Sequence, residues 1–241
     1  MRVGNVILAE LDKLRTLPAV LLTAVATVGA AAGIAAAFAA GDGGPGAAES
    51  VTDVTLRMVP YVQAGLVLLG SLPAAHEYAD GQIRATLTAV PERGLLVAAK
   101  SVAAATAVTL TAAAATGAGA AAAALTWWRA GAPPAAGGGG GGALLGATAY
   151  LALIGLLSYA VALLVRHLIP VLVGVLSLVL IGSPLLAAVT AHARWLPDRA
   201  GSQLYAPTDP VLTAATGGLV LLVWTVAVGV GAWVRFVRAD P

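Results

Sequence analysis

Very few side chains in this 241-residue chain could act as nucleophiles, general bases or metal ligands. There is no Cys, which excludes thiol catalysis and thiolate metal sites. His76, His167 and His192 lie far apart along the chain, and His76-Glu77 lacks the second His of a zinc-protease motif. Neither G-x-S-x-G nor the phosphate-binding G-x-x-x-x-G-K-[ST] occurs. The sequence therefore predicts no catalytic residue, no metal, no cofactor and no enzyme.

The composition is typical of a membrane protein. Hydrophobic residues make up 59% of the chain and charged residues 10%, whereas soluble domains average about 25% charged residues. A membrane-crossing helix needs about 20 apolar residues, so six spans are close to the most this chain can supply. We predict an all-α integral membrane protein whose domain 18–241 holds six transmembrane helices. The windows free of Asp, Glu, Lys and Arg are 18–40, 58–75, 101–128, 143–165, 168–190 and 211–234.

Residues 1–17 predict a cytoplasmic helix lying in the membrane interface. Its apolar side chains share one face of about 140°, and most of its charged side chains lie on the other. Glu10 breaks the pattern, since it projects into the apolar arc. Either a rotated or frayed helix lets the carboxylate reach water, or Glu10 meets a cation on a partner or on the inner loop. Because acidic residues precede the first long apolar run, we expect an uncleaved anchor rather than a signal peptide.

The distribution of Lys and Arg indicates the orientation, because cations are retained on the cytoplasmic side. With both termini in the cytoplasm, nine of the 13 Lys and Arg residues are cytoplasmic. Four fall in the outer loops 41–57, 129–142 and 191–210. The Ala, Gly, Pro and Arg content favours a bacterial source, so we expect a multi-pass protein of the bacterial cell membrane. The balance of 13 cationic and 11 acidic residues predicts no nucleic-acid partner.

The six windows contain no ionisable residue. Ion-coupled carriers usually use one at the bilayer midplane, so its absence disfavours a self-sufficient carrier or channel. That alternative stays open, because Pro73 and Pro184 could break helices and expose backbone carbonyls to an ion. A scaffold or immunity membrane protein that moves nothing is a third hypothesis.

The inner loop, residues 77–100, is the longest predicted on the cytoplasmic side and the richest in polar residues. Ile83, Leu87 and Val90 have helical spacing, and Pro91 would end the helix. A short cytoplasmic helix with one apolar edge is suited to docking in a groove of another protein.

This loop resembles that of the permease subunits of type-2 ABC transporters, with the pattern E-Y-x-x-G-x-I-R-x-T-L-x-x-x-P-x-R and a Lys at the next span. The opening segment AELDKLRT is also similar. The resemblance implies a homodimer or heterodimer of permeases bound to two cytosolic ATPase subunits, which hydrolyse ATP and drive export. It also implies an outer cap over 191–210. The chain matches the loop pattern at Glu77, Tyr78, Gly81, Ile83, Arg84, Thr86, Leu87, Pro91, Arg93 and Lys100. ATPase coupling is implied for Glu10, Glu77, Gly81, Arg84, Leu87, Pro91 and Arg93.

Overall fold

A computed structural model describes residues 3–41, 50–79, 92–131 and 140–238, apart from the side chains of residues 77–79 and 93. All regular structure in these ranges is helical. A π-helical turn, Leu178–Gly182, joins the helices Leu168–Ser177 and Ser183–Val189, and a 3₁₀ turn, Ala191–Trp195, precedes the helix Pro197–Ser202. The helices are α1 (Val3–Thr16), α2 (Pro18–Gly41), α3 (Val51–Ala79), α4 (Arg93–Arg129), α5 (Gly140–Val165), α6 (Leu168–Ser177), α7 (Ser183–Val189), α8 (Pro197–Ser202) and α9 (Ala214–Arg238).

Within the described ranges, six helical segments are long and apolar enough to cross a membrane, which confirms the predicted all-α membrane fold. The fifth combines α6, the π-helical turn and α7, and Pro184 lies near the start of α7. Pro73 lies inside α3 without interrupting it. The segments are Pro18–Gly41, Val51–His76, Gly94–Arg129, Gly140–Val165, Leu168–Val189 and Ala214–Arg238.

Two spans begin seven residues earlier than predicted, because charged residues lie within their first two turns. The second span starts at Val51 instead of residue 58. Ser50 and Asp53 cap its first turn through reciprocal hydrogen bonds. The Asp53 carboxylate accepts from the Ser50 backbone N–H at 3.0 Å, and the Asp53 N–H donates to the Ser50 hydroxyl at 3.2 Å. The third span begins at Gly94 and includes Lys100. The predicted inner loop 77–100 is therefore too long, since its two ends belong to α3 and α4.

The second, third and fourth spans form the centre of the bundle. Their apolar windows are 67%, 50% and 61% buried, against 22%, 22% and 17% for the first, fifth and sixth. The backbones of α3 and α5 meet closely at Gly70 and Gly155. Nearby, the Ser158 hydroxyl donates to the Val67 carbonyl at 2.9 Å. Small residues and interhelical hydrogen bonds hold such contacts together, because lipid provides no hydrophobic drive for helix association.

The segment between the fifth and sixth spans folds over the end of the bundle away from α1. Its chain passes so close to Gly146 that a Cβ there would lie 1.9 Å from the Leu204 carbonyl oxygen. A Cβ on Gly217 of α9 would lie 2.2 Å from the Ala200 carbonyl oxygen. Glycines at these two points let the segment pack directly on α5 and α9, so residues 191–210 form a folded cap.

Candidate functional site

Glu10 of α1 and Lys100 of α4 form a buried ion pair. The Lys100 ammonium donates to both carboxylate oxygens of Glu10, at 2.9 and 3.0 Å. Only 7% of the Lys100 side chain and 11% of the Glu10 side chain are exposed. This contact confirms one of the two explanations given for Glu10: its carboxylate meets a cation from the predicted inner loop, Lys100. The other explanation, a rotated or frayed helix that lets the carboxylate reach water, is wrong, because Glu10 is buried.

Apolar contacts surround the pair and fix α1 in place. The buried residues of α1 are Val6, Glu10 and Leu14, one stripe at intervals of four residues. Val6 clusters with Leu96 of α4 and Phe236 of α9, and Leu14 joins the main core. α1 is therefore packed against the beginning of the third span, in an apolar cluster that Phe236 near the end of the sixth span also joins.

A cavity of about 70 Å³ lies beside the ion pair, between α1, α3, α4 and α5. Its polar lining comes from Glu10, Lys13, His76, Lys100 and Tyr159. A space of this size can admit water, which needs about 10–15 Å³ of accessible volume and polar partners. His76 lies near the end of α3, so the cavity adjoins the point where the chain enters the inner loop.

The other predicted coupling residues lie at the edges of the described ranges or outside them. Glu77 lies on the last turns of α3 and Arg93 at the start of α4, but their side chains lie outside the description. The predicted coupling helix, with Gly81, Arg84, Leu87 and Pro91, falls outside the described residues. His76 and Tyr159 line the cavity but were not predicted as site residues, because neither belongs to a recognisable motif.

A second buried polar cluster lies beneath the cap. The Ser183 hydroxyl of α7 donates to the carboxylate of Asp198 on α8, which is 7% exposed. Burial raises the pKa of Asp198, and the Ser183 hydrogen bond opposes that rise. Tyr205 packs on Tyr150 with ring centroids 5.3 Å apart, and burial raises the pKa of Tyr205 to about 12. Asp198 lies in the predicted outer loop 191–210, and its burial was not predicted. A hydropathy window averages residues along the chain, so it cannot show that a loop folds over one of its own carboxylates.

No model of a known protein family matches the chain, and no curated protein is significantly similar to it. A functional assignment therefore depends on the sequence pattern and on the contacts described above.

Replacing Asp198 with asparagine should remove a pH dependence of folding. Because the pKa of Asp198 is raised in the folded protein, its contribution to stability is complete below its ordinary pKa of about 4 and is lost as the pH rises through the folded value. The asparagine side chain keeps an acceptor for Ser183 and carries no charge. We expect thermal unfolding in detergent to show a higher Tm for D198N than for wild type at pH 7, and equal values near pH 4.

Asp209→Asn is the matched control, because the pKa of Asp209 is shifted in the opposite direction and its replacement should change the Tm in the opposite direction. Hydrogen bonds from the backbone N–H groups of Val211 and Leu212 lower the pKa of Asp209. Its contribution is present above the ordinary Asp pKa and is lost as the pH falls through the lowered value, so D209N should lower the Tm at pH 7. Equal pH profiles for D198N and wild type would contradict the assignment of a buried, destabilising charge at Asp198.

Proposed function

We propose that this chain is the membrane-spanning permease subunit of an ABC exporter, driven by ATP hydrolysis on separate cytosolic subunits. One structural observation carries the proposal beyond the sequence pattern. Glu10 of the N-terminal helix binds Lys100, at the base of the helix that follows the permease-like inner loop. The opening segment and the inner loop, which both resemble the family, are therefore linked by two residues 90 positions apart.

The contacts around this pair support a mechanical role for this end of the bundle. The inner loop connects α3 to α4, and both belong to the most buried part of the protein. α1 packs on the first turns of α4, so a force applied to α1 or to the loop reaches the central helices without passing through lipid-facing spans. We propose that closure of the two ATPase subunits applies this force through Glu77, Gly81, Arg84, Leu87, Pro91 and Arg93, with Glu10 holding α1 in register.

The outer surface of the bundle is suited to lipid and to a second permease subunit, identical or not. α2 exposes Leu22 and Val25, and the fifth span exposes Ile169, Ile181 and Val189, each at more than half of its surface. Apolar surfaces of this kind are stable against lipid chains or another membrane helix. Both termini are proposed to lie in the cytoplasm of a bacterial cell.

Cysteine labelling tests this orientation cleanly, because the chain has no Cys. Gly141 has open space around it, whereas a side chain on Gly140 would meet Thr52, so Gly141→Cys is the better external probe. In intact cells a membrane-impermeant maleimide should label G141C, and it should label Arg238→Cys only after the cells are broken. The reverse pattern would contradict the proposed orientation.

Charge removal in the inner loop tests the proposed function. In a complex with its ATPase, Arg84→Ala or Glu77→Ala should abolish transport and stimulated ATP hydrolysis. Membrane insertion should be unchanged, because these charges are predicted outside the hydrocarbon and their loss does not penalise insertion. Arg129→Ala, an exposed charge at the far end of α4, is the control and should retain activity.

Co-purification provides the decisive negative result. The chain extracted in mild detergent, after co-expression with the ATPase encoded beside it, should elute as a complex. If the ATPase never co-elutes, or if R84A and E77A both transport at wild-type rates, the chain is not an ABC permease of the proposed kind.

A further inference from the structure

A polar pocket of about 300 Å³ lies within the cap, between the end of α7, the 3₁₀ turn and the chain that follows α8. We call it the cap pocket. Its charged lining residues are Arg194, Arg199 and Asp209, and Gln203 also lines it. Two cations against one carboxylate leave the lining with a net positive charge. The volume is at the lower end of the range of about 300–1,000 Å³ that is usual for ligand sites.

Gln203 leaves its N–H donors available at this pocket. Only 6% of Gln203 is exposed. Its carboxamide oxygen accepts from the backbone N–H groups of Thr208 at 2.8 Å and Asp209 at 3.0 Å. These bonds fix the orientation of the amide, because only its oxygen can accept them. The amide nitrogen donates to none of the residues that the structure describes. Since buried polar groups are normally satisfied, this nitrogen is suited to an acceptor that enters the pocket.

The Asp209 carboxylate is held by groups of the cap itself. Its Oδ1 lies 3.5 Å from a guanidinium nitrogen of Arg194 and accepts from the backbone N–H groups of Val211 and Leu212. Arg194 also donates through Nε to the Ala191 carbonyl at 2.8 Å. These contacts use two of the five N–H groups of Arg194, so three remain. Asp209 therefore offsets the charge of Arg194 and leaves that of Arg199.

Arg199 supplies the main attraction for an anion. Its guanidinium forms no hydrogen bond or ion pair within the described ranges, so its five N–H groups are available. Burial raises the pKa of the neighbouring Asp198, whose carboxylate accepts from Ser183 and does not line the pocket. The cap pocket thus combines one uncompensated guanidinium, a second partly used guanidinium and an oriented amide nitrogen.

We propose that the cap pocket binds a phosphate group, with Arg199 and the Gln203 amide nitrogen as its main donors and Arg194 as a further donor. A guanidinium can pair with two phosphate oxygens at once, and the other donors then require further oxygens. A phosphate has more oxygens than a carboxylate, so three donor groups around one space favour it. The phosphate belongs to a soluble compound or to a phospholipid, because headgroups flank the hydrocarbon at the ends of a membrane bundle. This inference does not depend on the proposed function, because it needs neither an ATPase nor a transported substrate.

Two probes distinguish these sources. The first is inorganic phosphate, titrated calorimetrically into the purified chain in neutral detergent, with chloride at equal ionic strength as the reference. The second is dioleoyl phosphatidic acid, compared with dioleoylglycerol by native mass spectrometry, because these lipids differ only in the phosphate. Binding of inorganic phosphate supports a soluble ligand, and preferential retention of phosphatidic acid alone supports a lipid headgroup. If wild type binds no inorganic phosphate and retains the two lipids equally, the proposal is overturned.

Two variants assign the binding to this pocket. Gln203→Glu keeps an oxygen for the Thr208 and Asp209 backbone N–H groups but replaces the amide nitrogen with a second carboxylate oxygen. Arg199→Gln removes the uncompensated charge. Each should weaken binding of the probe that wild type binds by about tenfold or more, because charge-assisted hydrogen bonds are lost. Arg129→Gln is the matched control, since Arg129 is exposed at the same end of the bundle and does not line the pocket. If R199Q and Q203E both bind as tightly as R129Q, the cap pocket is not the phosphate site.

Discussion

Gly70→Leu should prevent the bundle from folding, and Gly70→Ala should destabilise it strongly. A Cβ on Gly70 would lie 2.0 Å from the carbonyl oxygen of Gly155, so α3 and α5 would have to separate. Gly155 is itself confined, since a Cβ there would lie 2.6 Å from Val108. Overpacking a core usually costs about 1–3 kcal/mol, and the cost is higher here because the obstructing atom is backbone.

Thermal unfolding followed by size-exclusion chromatography in detergent measures this effect. Gly117→Ala is the matched control: Gly117 lies within α4, yet nothing is within 4 Å of its Cβ position. Ala in a helix interior is favoured over Gly by about 1 kcal/mol, so G117A should be neutral or stabilising. A Tm for G70A equal to that of wild type would show that α3 and α5 do not meet as described.

These two glycines also show how far the sequence alone can predict the fold. Hydropathy predicts that both lie in spans, because apolar composition and the absence of charge are local properties. Nothing local distinguishes Gly70 from Gly117, since the difference depends on which helices cross and at which residue. The predicted boundaries of the second and third spans are wrong for a related reason. Asp53 and Lys100 lie inside helices because a cap and a distant partner satisfy them.

The candidate site was predictable in part. The amphipathic pattern of residues 1–17 shows that Glu10 lies among apolar side chains, and a buried carboxylate needs a cation or a proton. The pattern cannot identify Lys100 as that cation, because the two residues are 90 positions apart and belong to separate elements. The cavity that brings His76 and Tyr159 to the pair depends on four helices at once, so no linear motif reveals it.

Lys100→Met should destabilise the protein by about 3–5 kcal/mol, because it leaves the Glu10 carboxylate buried without its cation. Glu10→Gln should have a similar effect, since it leaves the Lys100 ammonium buried. Asp12→Asn is the control for a charge on the same helix. Asp12 and Arg15 are 3.9 Å apart and their side chains are 76% and 82% exposed, so their loss should not be measurable.

The double variant Glu10→Gln with Lys100→Met separates stability from coupling. Replacing both members of a buried pair removes the charge that each single variant leaves buried, so most of the lost stability should return. If the pair only stabilises the bundle, ATP-driven transport should return with the Tm. If it holds α1 in register for the ATPase, as we propose, the Tm should recover while ATPase stimulation stays low, because Gln and Met no longer fix the helix through two charged hydrogen bonds. Wild-type transport by the double variant would contradict a coupling role for Glu10.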